Sequence, residues 1–227
     1  MLGESGGRKV LAIALLAGLL GCGRPVPPLP SDPAIPEHDA IPIMGPSRLS
    51  AEQLAAWFSR RTPQPSGTYA ATVPLETMTR LFVEEGLAEG VAGDVAFVQS
   101  VLETGWFRFG GVLPASFNNF AGIGATGTLS ARARFPDART GVRAQIQHLR
   151  AYADASASAC ARPPLSNPCV DPRFDFVVPK GKAPTWNQLG SGNWATARTY
   201  GARIASLYSE ARVFNGARLD PVVGRSP

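Results

Sequence analysis

Apolar residues recur at three- and four-residue spacing between Asp94 and Gly105, which is the pattern of a helix with one buried face. Asp94 is predicted to cap this helix and Gly105 to end it, so that Glu103 lies in the last turn. The negative helix end and the neighbouring rings of Trp106 and Phe107 are expected to raise the pKa of Glu103. A carboxyl group protonated near neutral pH can act as a general acid. The alternative is a solvent-facing residue near a helix end.

Four other stretches carry helical signals. These helices are predicted to begin near Ser50 and to cover residues 74–85, 140–152 and 199–208. The sequence SAEQ at residues 50–53 has the form of a capping box. Residues 109–124 are rich in Gly and Asn, which predicts a loop, and a β-hairpin is predicted over residues 124–135. The sequence therefore predicts a mainly α fold with a small β element (α+β).

Five short motifs follow one another over most of residues 50–210. They are LETGW at residues 102–106, NNFAGIG at 118–124, GVRAQIQHL at 141–149, DPRF at 171–174 and TYG at 199–201. In this order they resemble the bacterial glucosaminidase domains of glycoside hydrolase family 73, which cleave peptidoglycan. The resemblance implies a lysozyme-like helical domain with a small β-hairpin lobe, here over residues 48–215.

The resemblance also implies roles for individual residues. Glu103 matches the catalytic acid of the family, and Tyr200 matches its recurrent active-site tyrosine. The residues that it implies for substrate binding in the sugar groove are Trp106, Asn118, Asn119, Phe120 and Gly122. Tyr200 is equally explained as a core aromatic residue, and the two Asn residues are equally explained as turn residues.

The chain departs from the family at the second catalytic acid, which members often carry in the hairpin lobe. Residues 124–135 contain no Asp or Glu. Retaining glycosidases hold two carboxyl groups about 5–5.5 Å apart and inverting ones about 6.5–9.5 Å. One reading is that the 2-acetamido group of the substrate attacks while Glu103 protonates the leaving oxygen. A second is that Asp137, or Asp171 or Asp175, activates water. A third is that the domain binds glycan without cutting it.

Asp137 has an alternative explanation, because it directly precedes the predicted helix over residues 140–152 and suits a turn or helix-entry position. We therefore expect the substrate-assisted reading to apply, with Asp137 and Asp171 retained as possible second acids.

The N-terminal segment predicts export and lipidation. Basic residues at 8 and 9 precede an apolar run over residues 10–20, which has the length of a signal-peptide core. The run ends in LLGC, which resembles a lipobox, so residues 1–21 are predicted to be removed and Cys22 to receive lipid. Residues 22–47 are rich in proline and predict a tether, whereas residues 216–227 predict a loose tail. The expected location is extracytoplasmic and lipid-anchored, at the outer membrane if the host is Gram-negative.

The remaining cysteines and the charge agree with export. Cys160 and Cys169 are predicted to form a disulfide in an oxidising compartment. With no further Cys or His nearby they make a poor zinc site, and no metal or cofactor is expected. The formal charge of +5 suits an anionic partner, but the arginines follow no nucleic-acid-binding motif, so nucleic acid is not expected.

Together these features predict a monomeric, lipid-anchored enzyme whose partner is the peptidoglycan glycan strand. The resemblance implies an endo-beta-N-acetylglucosaminidase with Glu103 as the general acid. The alternatives are muramidase or lytic transglycosylase action on the same scaffold, and a non-catalytic cell-wall-binding lipoprotein.

Overall fold

The computed structural model describes residues 40–111, 113–124, 132–162 and 167–216, which all belong to one compact unit. Over these residues the chain forms five α-helices. In chain order they are α1 Ala51–Arg60, α2 Leu75–Glu89, α3 Gly93–Glu103, α4 Ala138–Ala153 and α5 Tyr200–Phe214. Three short 3-10 helices, also within the described residues, are Ala115–Phe117, Phe174–Phe176 and Trp186–Leu189.

The predicted mainly α, lysozyme-like fold is confirmed. The described residues contain only two isolated β-bridges, Pro42 with Thr185 and Met44 with Val91. Most of the predicted β-hairpin lobe, residues 125–131, lies outside the described residues, as do Cys22 and residues 22–39 of the predicted tether. No helix within the described ranges has both the length and the apolar character needed to cross a bilayer.

The predicted start of α1 is confirmed. The Ser50 hydroxyl accepts a hydrogen bond from the Gln53 backbone N–H at 3.3 Å, and the Gln53 side chain accepts one from the Ser50 backbone N–H at 2.9 Å. Helix α2 runs beyond the predicted end to Glu89, through Gly86. A Cβ on Gly86 would lie 2.7 Å from the Cα of Gly93, so the glycine permits the close crossing of α2 and α3.

Asp94 does not cap α3 as predicted, because the helix begins at Gly93 and Asp94 is its second residue. Its fully buried carboxylate instead accepts hydrogen bonds from the backbone N–H of Arg48 at 2.7 Å and from the Tyr208 hydroxyl at 2.6 Å. The carboxylate therefore ties the segment before α1 and helix α5 to the start of α3. Burial, together with the charge of Asp94, raises the pKa of Tyr208, so its hydroxyl remains a donor.

Helices α2 and α4 are joined by a buried carboxylate. Glu85 on α2 accepts from Arg139 at 2.7 Å and from Arg143 at 2.8 Å, and its side chain is only 2% exposed. Such a charge is stabilised in the interior only when it is paired and hydrogen-bonded. This pairing holds α4, which carries the GVRAQIQHL motif, against α2.

Cys160 and Cys169 form the predicted disulfide, with their Cα atoms 5.3 Å apart. The Gln147 carbonyl oxygen on α4 accepts from the Val170 backbone N–H at 2.8 Å, just beyond the second cysteine. Two residues after Cys160, a backbone N–H donates to the buried Glu89 carboxylate at 2.8 Å. This hydrogen bond fixes the start of the loop to α2. The cross-linked loop is thus bonded to two helices, and it leads directly into the DPRF motif.

The glycine that opens the GVRAQIQHL motif serves packing. A Cβ on Gly141 would lie 1.8 Å from the carbonyl oxygen of Asn118, so the Asn-rich loop rests directly on the first turn of α4. Asn118 itself has a left-handed backbone, with φ of 50°. The contact sets the height of this loop above the helix.

Gly141→Ala is expected to destabilise the protein even though alanine favours a helix over glycine by about 1 kcal/mol. The new Cβ meets a backbone oxygen, which cannot rotate away, and such overpacking costs about 1–3 kcal/mol. We expect thermal unfolding to show a Tm lowered by several degrees. The matched control is Gly110→Ala, whose Cβ would meet nothing within 4 Å. Equal Tm values for the two variants would contradict this account of Gly141.

Candidate active site

Glu103 is the last residue of α3, and its carboxyl group is held by two donors. The hydroxyl of Tyr200, the first residue of α5, donates to Glu103 Oε1 at 2.5 Å. The indole N–H of Trp194 donates to the same carboxyl group. The structure thus brings the two predicted catalytic residues together and adds Trp194.

A buried relay of amide side chains fixes the Tyr200 hydroxyl. The Gln99 amide N–H donates to Tyr200 Oη at 2.9 Å, and Gln145 donates to the Gln99 carbonyl oxygen at 2.8 Å. Ser100 in turn donates to Gln145 at 2.8 Å. Because Tyr200 Oη already accepts from Gln99, its own proton is directed at Glu103. This chain of bonds from α4 through α3 to α5 is called the amide relay below.

Burial raises the pKa of Glu103, despite the two hydrogen bonds and the charge of Arg203, which act in the opposite direction. Glu103 as a whole residue is exposed at the end of α3, and the protein packed around its carboxyl group, which includes Tyr200 and Trp194, nevertheless disfavours the charged form. The direction agrees with the expectation from sequence. Burial and the adjacent Glu103 charge likewise raise the pKa of Tyr200, so this hydroxyl stays a proton donor.

The cleft at Glu103, called the catalytic cleft below, has a volume of about 480 Å³. Its described lining residues are Ser66, Glu103, Thr104, Gly105, Arg108, Phe109, Gly110, Gly111, Leu113, Asn119 and Gly122. Arg108 is bonded to backbone carbonyls, at 3.0 Å to Gly67, 2.8 Å to Trp106 and 3.0 Å to Pro65, so it braces the wall. Glu103 is the sole carboxylate among the described lining residues.

The wall next to Glu103 is a left-handed turn. Gly105, Trp106 and Phe107 have φ values of 57°, 63° and 52°, a conformation that costs free energy for the two aromatic residues. The Thr104 hydroxyl compensates, accepting from the Phe107 backbone N–H at 2.8 Å. The turn drives Phe107 fully into the core, where its ring stacks 5.5 Å from that of Phe97.

The same turn takes Trp106 away from Glu103. The Trp106 ring lies 5.4 Å from Trp57 and 5.3 Å from Phe58, with the Arg61 guanidinium 4.7 Å above it. Trp106 is not among the described lining residues of the catalytic cleft, and the tryptophan bonded to Glu103 is Trp194. Adjacency in sequence did not translate into adjacency in space, because the left-handed turn reverses the chain.

Of the residues expected to bind substrate in the Asn-rich loop, most hold the loop itself. Asn118 donates to the Phe135 carbonyl at 3.2 Å and accepts from Thr72 at 2.5 Å. Asn119 donates to the carbonyls of Ile123 at 2.9 Å and Ala133 at 3.0 Å, although it also borders the cleft.

Both amides are buried and internally bonded, which is the turn role that the sequence left open. Phe120 is a core residue at 1% exposure, with its ring 6.0 Å from that of Phe107. Gly122 does line the catalytic cleft.

The structure brings neither possible second acid to the described lining of the catalytic cleft. Asp137 is exposed and caps α4, accepting from the Thr140 backbone N–H at 2.8 Å. Asp171 is buried and lies 2.8 Å from His148 Nδ1, and it also accepts from the Arg173 backbone N–H at 2.8 Å. Helix entry explains Asp137, and support of His148 explains Asp171.

A second, smaller pocket adjoins the catalytic cleft. It has a volume of about 230 Å³, shares Gly122 with the cleft, and includes Trp194 in its lining. Because Trp194 donates to Glu103, the two concavities meet beside the carboxyl group. We call it the His148 pocket, after the residue that Asp171 supports.

A wider cleft of about 1140 Å³ lies elsewhere, lined by Met44, Leu87 and Arg150 among others. Its acid, Asp154, is paired with Arg150 at 3.1 Å and accepts from the Ser156 hydroxyl at 2.6 Å. These bonds, with the Arg150 charge, hold the pKa of Asp154 below its ordinary value even though its partial burial acts to raise it, so it is a poor proton donor. Volume alone therefore does not identify the site. The described residues also contain no cluster of three or more side chains suited to holding a metal ion.

Comparison with known proteins agrees with this geometry. Residues 79–212 match the model of the glucosaminidase family, described as mannosyl-glycoprotein endo-beta-N-acetylglucosaminidase. The chain belongs to this family. It is also 35% identical over 143 residues to an uncharacterized protein of Borreliella burgdorferi, a match that covers 63% of this chain and 66% of the relative, just under two-thirds of its length. The family match includes Glu103 and Tyr200, and hence the whole amide relay.

Sequence reasoning missed three functional neighbours in this glucosaminidase domain: Gln99, Gln145 and Trp194. A signal was present for the two glutamines, because each lies among apolar residues on a helix that must bury that face, and a buried amide requires partners. Trp194 lies in a Gly-rich loop far along the chain, where no periodic pattern predicts its orientation.

Glu103→Gln is expected to raise the Tm at pH 7. A raised folded-state pKa means that the carboxyl group contributes stability when protonated and loses it as the pH rises through that pKa. Glutamine stays neutral, so the gain should be largest at pH 7 and should shrink toward pH 4.5, the ordinary pKa of the group. Thermal unfolding at both pH values measures it, with Glu76→Gln, on the exposed start of α2, as the control. A gain no larger at pH 7 than at pH 4.5 would contradict the assignment.

Proposed function

We propose that this glucosaminidase-family protein hydrolyses the glycan strand of peptidoglycan, as an endo-beta-N-acetylglucosaminidase. The observation that carries the proposal is the Glu103 carboxyl group, which lines a cleft, accepts a hydrogen bond from Tyr200 and has its pKa raised by burial. An acid that is neutral near its working pH can protonate a leaving oxygen. Membership of the family supports the substrate class.

In this mechanism Glu103 donates its proton to the glycosidic oxygen as the bond to the anomeric carbon breaks. Tyr200 occupies one carboxyl oxygen, Oε1, which leaves the other oxygen to carry the transferred proton. The amide relay keeps the carboxyl group from rotating, because Tyr200 is itself fixed by Gln99. Positioning of this kind lowers the entropic part of the barrier.

We propose that the nucleophile is the carbonyl oxygen of the substrate's 2-acetamido group. It forms a bond to the anomeric carbon as the leaving oxygen departs with the Glu103 proton, giving a cyclic oxazolinium intermediate. Water then adds to the anomeric carbon, the ring opens to restore the acetamido group, and the Glu103 carboxylate takes up the proton of the water. The support is that Glu103 has no carboxylate partner among the described lining residues, and that Asp137 and Asp171 have other bonds.

Glu103→Gln tests the assignment of the acid. We expect release of reducing ends from purified peptidoglycan to fall by about 10²–10⁴-fold, the usual contribution of a general acid. The fold should be intact, since glutamine still accepts from Tyr200. Glu76→Gln, an exposed substitution outside the cleft, should retain the wild-type rate. Clearance of peptidoglycan by Glu103→Gln at the wild-type rate would show that Glu103 is not the acid.

Mass spectrometry of the wild-type products identifies the reaction. Fragments with N-acetylglucosamine at the reducing end support the proposal, whereas N-acetylmuramic acid there indicates a muramidase. An anhydro-muramic end indicates a lytic transglycosylase, which one acid can also support. Binding to sacculi without any release of ends would leave a cell-wall-binding protein.

We further propose that Cys22 anchors the domain to a membrane through lipid, with residues 22–47 as the tether. The support is the apolar run that ends in LLGC and the proline content that follows it. Cys22→Ala is expected to move the full-length protein from the detergent phase to the aqueous phase of a Triton X-114 partition. Cys169→Ala, which removes a disulfide partner, should leave the partition unchanged. Equal partition of Cys22→Ala and wild type would exclude lipid at this residue.

A further inference from the structure

We propose that the His148 pocket binds a carboxylate carried by the muramic acid side of the strand, and that Arg173 is the residue that selects for it. The inference rests on the proposed function and specifies the substrate of the same groove. It gives a role to the DPRF motif, which proton transfer at Glu103 leaves unexplained.

The His148 pocket adjoins the catalytic cleft that contains Glu103. Its described lining residues are Ala121, Gly122, Ile123, Gly124, His148, Tyr152, Arg173, Phe176, Val177, Asn193 and Trp194. Trp194 lines the pocket and also donates to Glu103, and Gly122 lines both concavities, so the pocket lies beside the acid. The rings of His148 and Tyr152 meet that of Trp194 at 5.1 Å and 5.7 Å, which makes this wall rigid.

The described lining of the pocket contains the guanidinium of Arg173 and no carboxylate. The Arg173 guanidinium lies 4.9 Å above the Phe176 ring, and within the described ranges no carboxylate oxygen lies within ion-pair distance of it. Lys182 lies 5.0 Å from the ring of Tyr152, on the same side of α4. A half-buried guanidinium with its donors available is the usual partner for a carboxylate.

Asp171, two residues before Arg173, is already occupied. Asp171 has a fully buried side chain, lies 2.8 Å from His148 Nδ1, and accepts from the backbone N–H of Arg173 rather than from its guanidinium. These bonds orient the backbone at Arg173 and hold the His148 ring. The guanidinium is therefore left for a ligand from outside the chain.

The apolar part of the pocket suits a sugar with a bulky substituent. Phe176 is 72% exposed, which is unusual for a large aromatic side chain, and it lies at the rim beside Arg173. Phe176 and Trp194 offer ring faces on which the apolar face of a sugar or a side-chain methyl group packs. A carboxylate placed at the same point would meet the guanidinium.

The chemistry of the polymer supplies such a group on the sugar next to the one held at Glu103. Peptidoglycan alternates N-acetylglucosamine with N-acetylmuramic acid, and each muramic acid carries a lactyl ether that continues into a peptide with free carboxylates. An N-acetylglucosamine held at Glu103 has a muramic acid on each side. Whichever way the strand runs, a muramic substituent therefore lies next to the acid, and the lactyl group and the peptide are its two carboxylate sources.

Three substrates separate these sources: glycan strands with intact peptides, the same strands after an amidase has removed the peptides and exposed the lactyl carboxylate, and chitin oligosaccharide, which has no carboxylate. Arg173→Gln is expected to lower kcat/KM by about tenfold on a muramic substrate, mainly through KM, and to leave the chitin rate unchanged. A loss confined to intact strands assigns the peptide carboxylates, a loss confined to amidase-treated strands assigns the lactyl carboxylate, and a loss on both shows that Arg173 accepts either.

The controls use the chain's own residues. Arg80→Gln removes the same charge from α2, outside the groove, and should match wild type on all three substrates. Arg173→Lys should recover part of the affinity. Equal kcat/KM for Arg173→Gln and wild type on both muramic substrates would overturn the proposal and leave the proposed function standing. A loss on chitin as large as that on the strands would also overturn it, because Arg173 would then serve the fold or the groove in general.

A binding measurement separates this inference from catalysis. In the Glu103→Gln background, fluorescently labelled strands, tested both intact and amidase-treated, should bind about tenfold more weakly in at least one of the two forms once Arg173→Gln is added, whereas labelled chitin oligosaccharide should not. If the wild-type protein cleaves none of the substrates, the proposed function fails, and this binding difference still decides whether Arg173 selects the carboxylate.

Discussion

The hydrogen bond from Tyr200 to Glu103 is the interaction on which the rest of the site depends. It joins the end of α3 to the start of α5, and it is directed because Gln99 already donates to the same hydroxyl. A free carboxyl group at a helix end would rotate and be solvated. Here burial raises the pKa of the group while the donors hold it in place, which combines a retained proton with a fixed direction.

The helices that carry the site are held by buried charges and close backbone crossings. Asp94 links the start of α3 to α5, and Glu85 links α2 to α4, so within each of these two pairs the helices are held against sliding. Each carboxylate is fully bonded, since an unpaired charge in the interior would cost several kcal/mol. Asp94 and Glu85 therefore stabilise the fold, whereas Glu103 is the carboxylate among the described lining residues of the catalytic cleft.

Much of this was predictable from local sequence, and the failures have a common cause. Helix positions, the capping box at Ser50 and the acid at the end of α3 follow from spacing along the chain, which local rules describe well. The partner of Glu103 and the position of Trp106 depend on how the left-handed turn and the last loop fold back, which no periodicity encodes. The family resemblance predicted that Asn118 and Asn119 bind sugar. Their buried side chains instead donate to backbone carbonyls and shape the loop itself.

The disulfide gives the two halves of the groove different kinds of support. The catalytic cleft is held by helices α3 and α5 and the amide relay, all of which lie outside the cross-linked loop. The strand of chain that places Asp171 and Arg173 follows Cys169 directly, and its bonds to α4 begin at the next residue. The cross-link shortens the free chain that leads into the His148 pocket, and it does not bear on the contacts that hold Glu103. The two parts of the groove therefore draw on different supports, a covalent bond beside Asp171 and Arg173 and hydrogen bonds between helices beside Glu103.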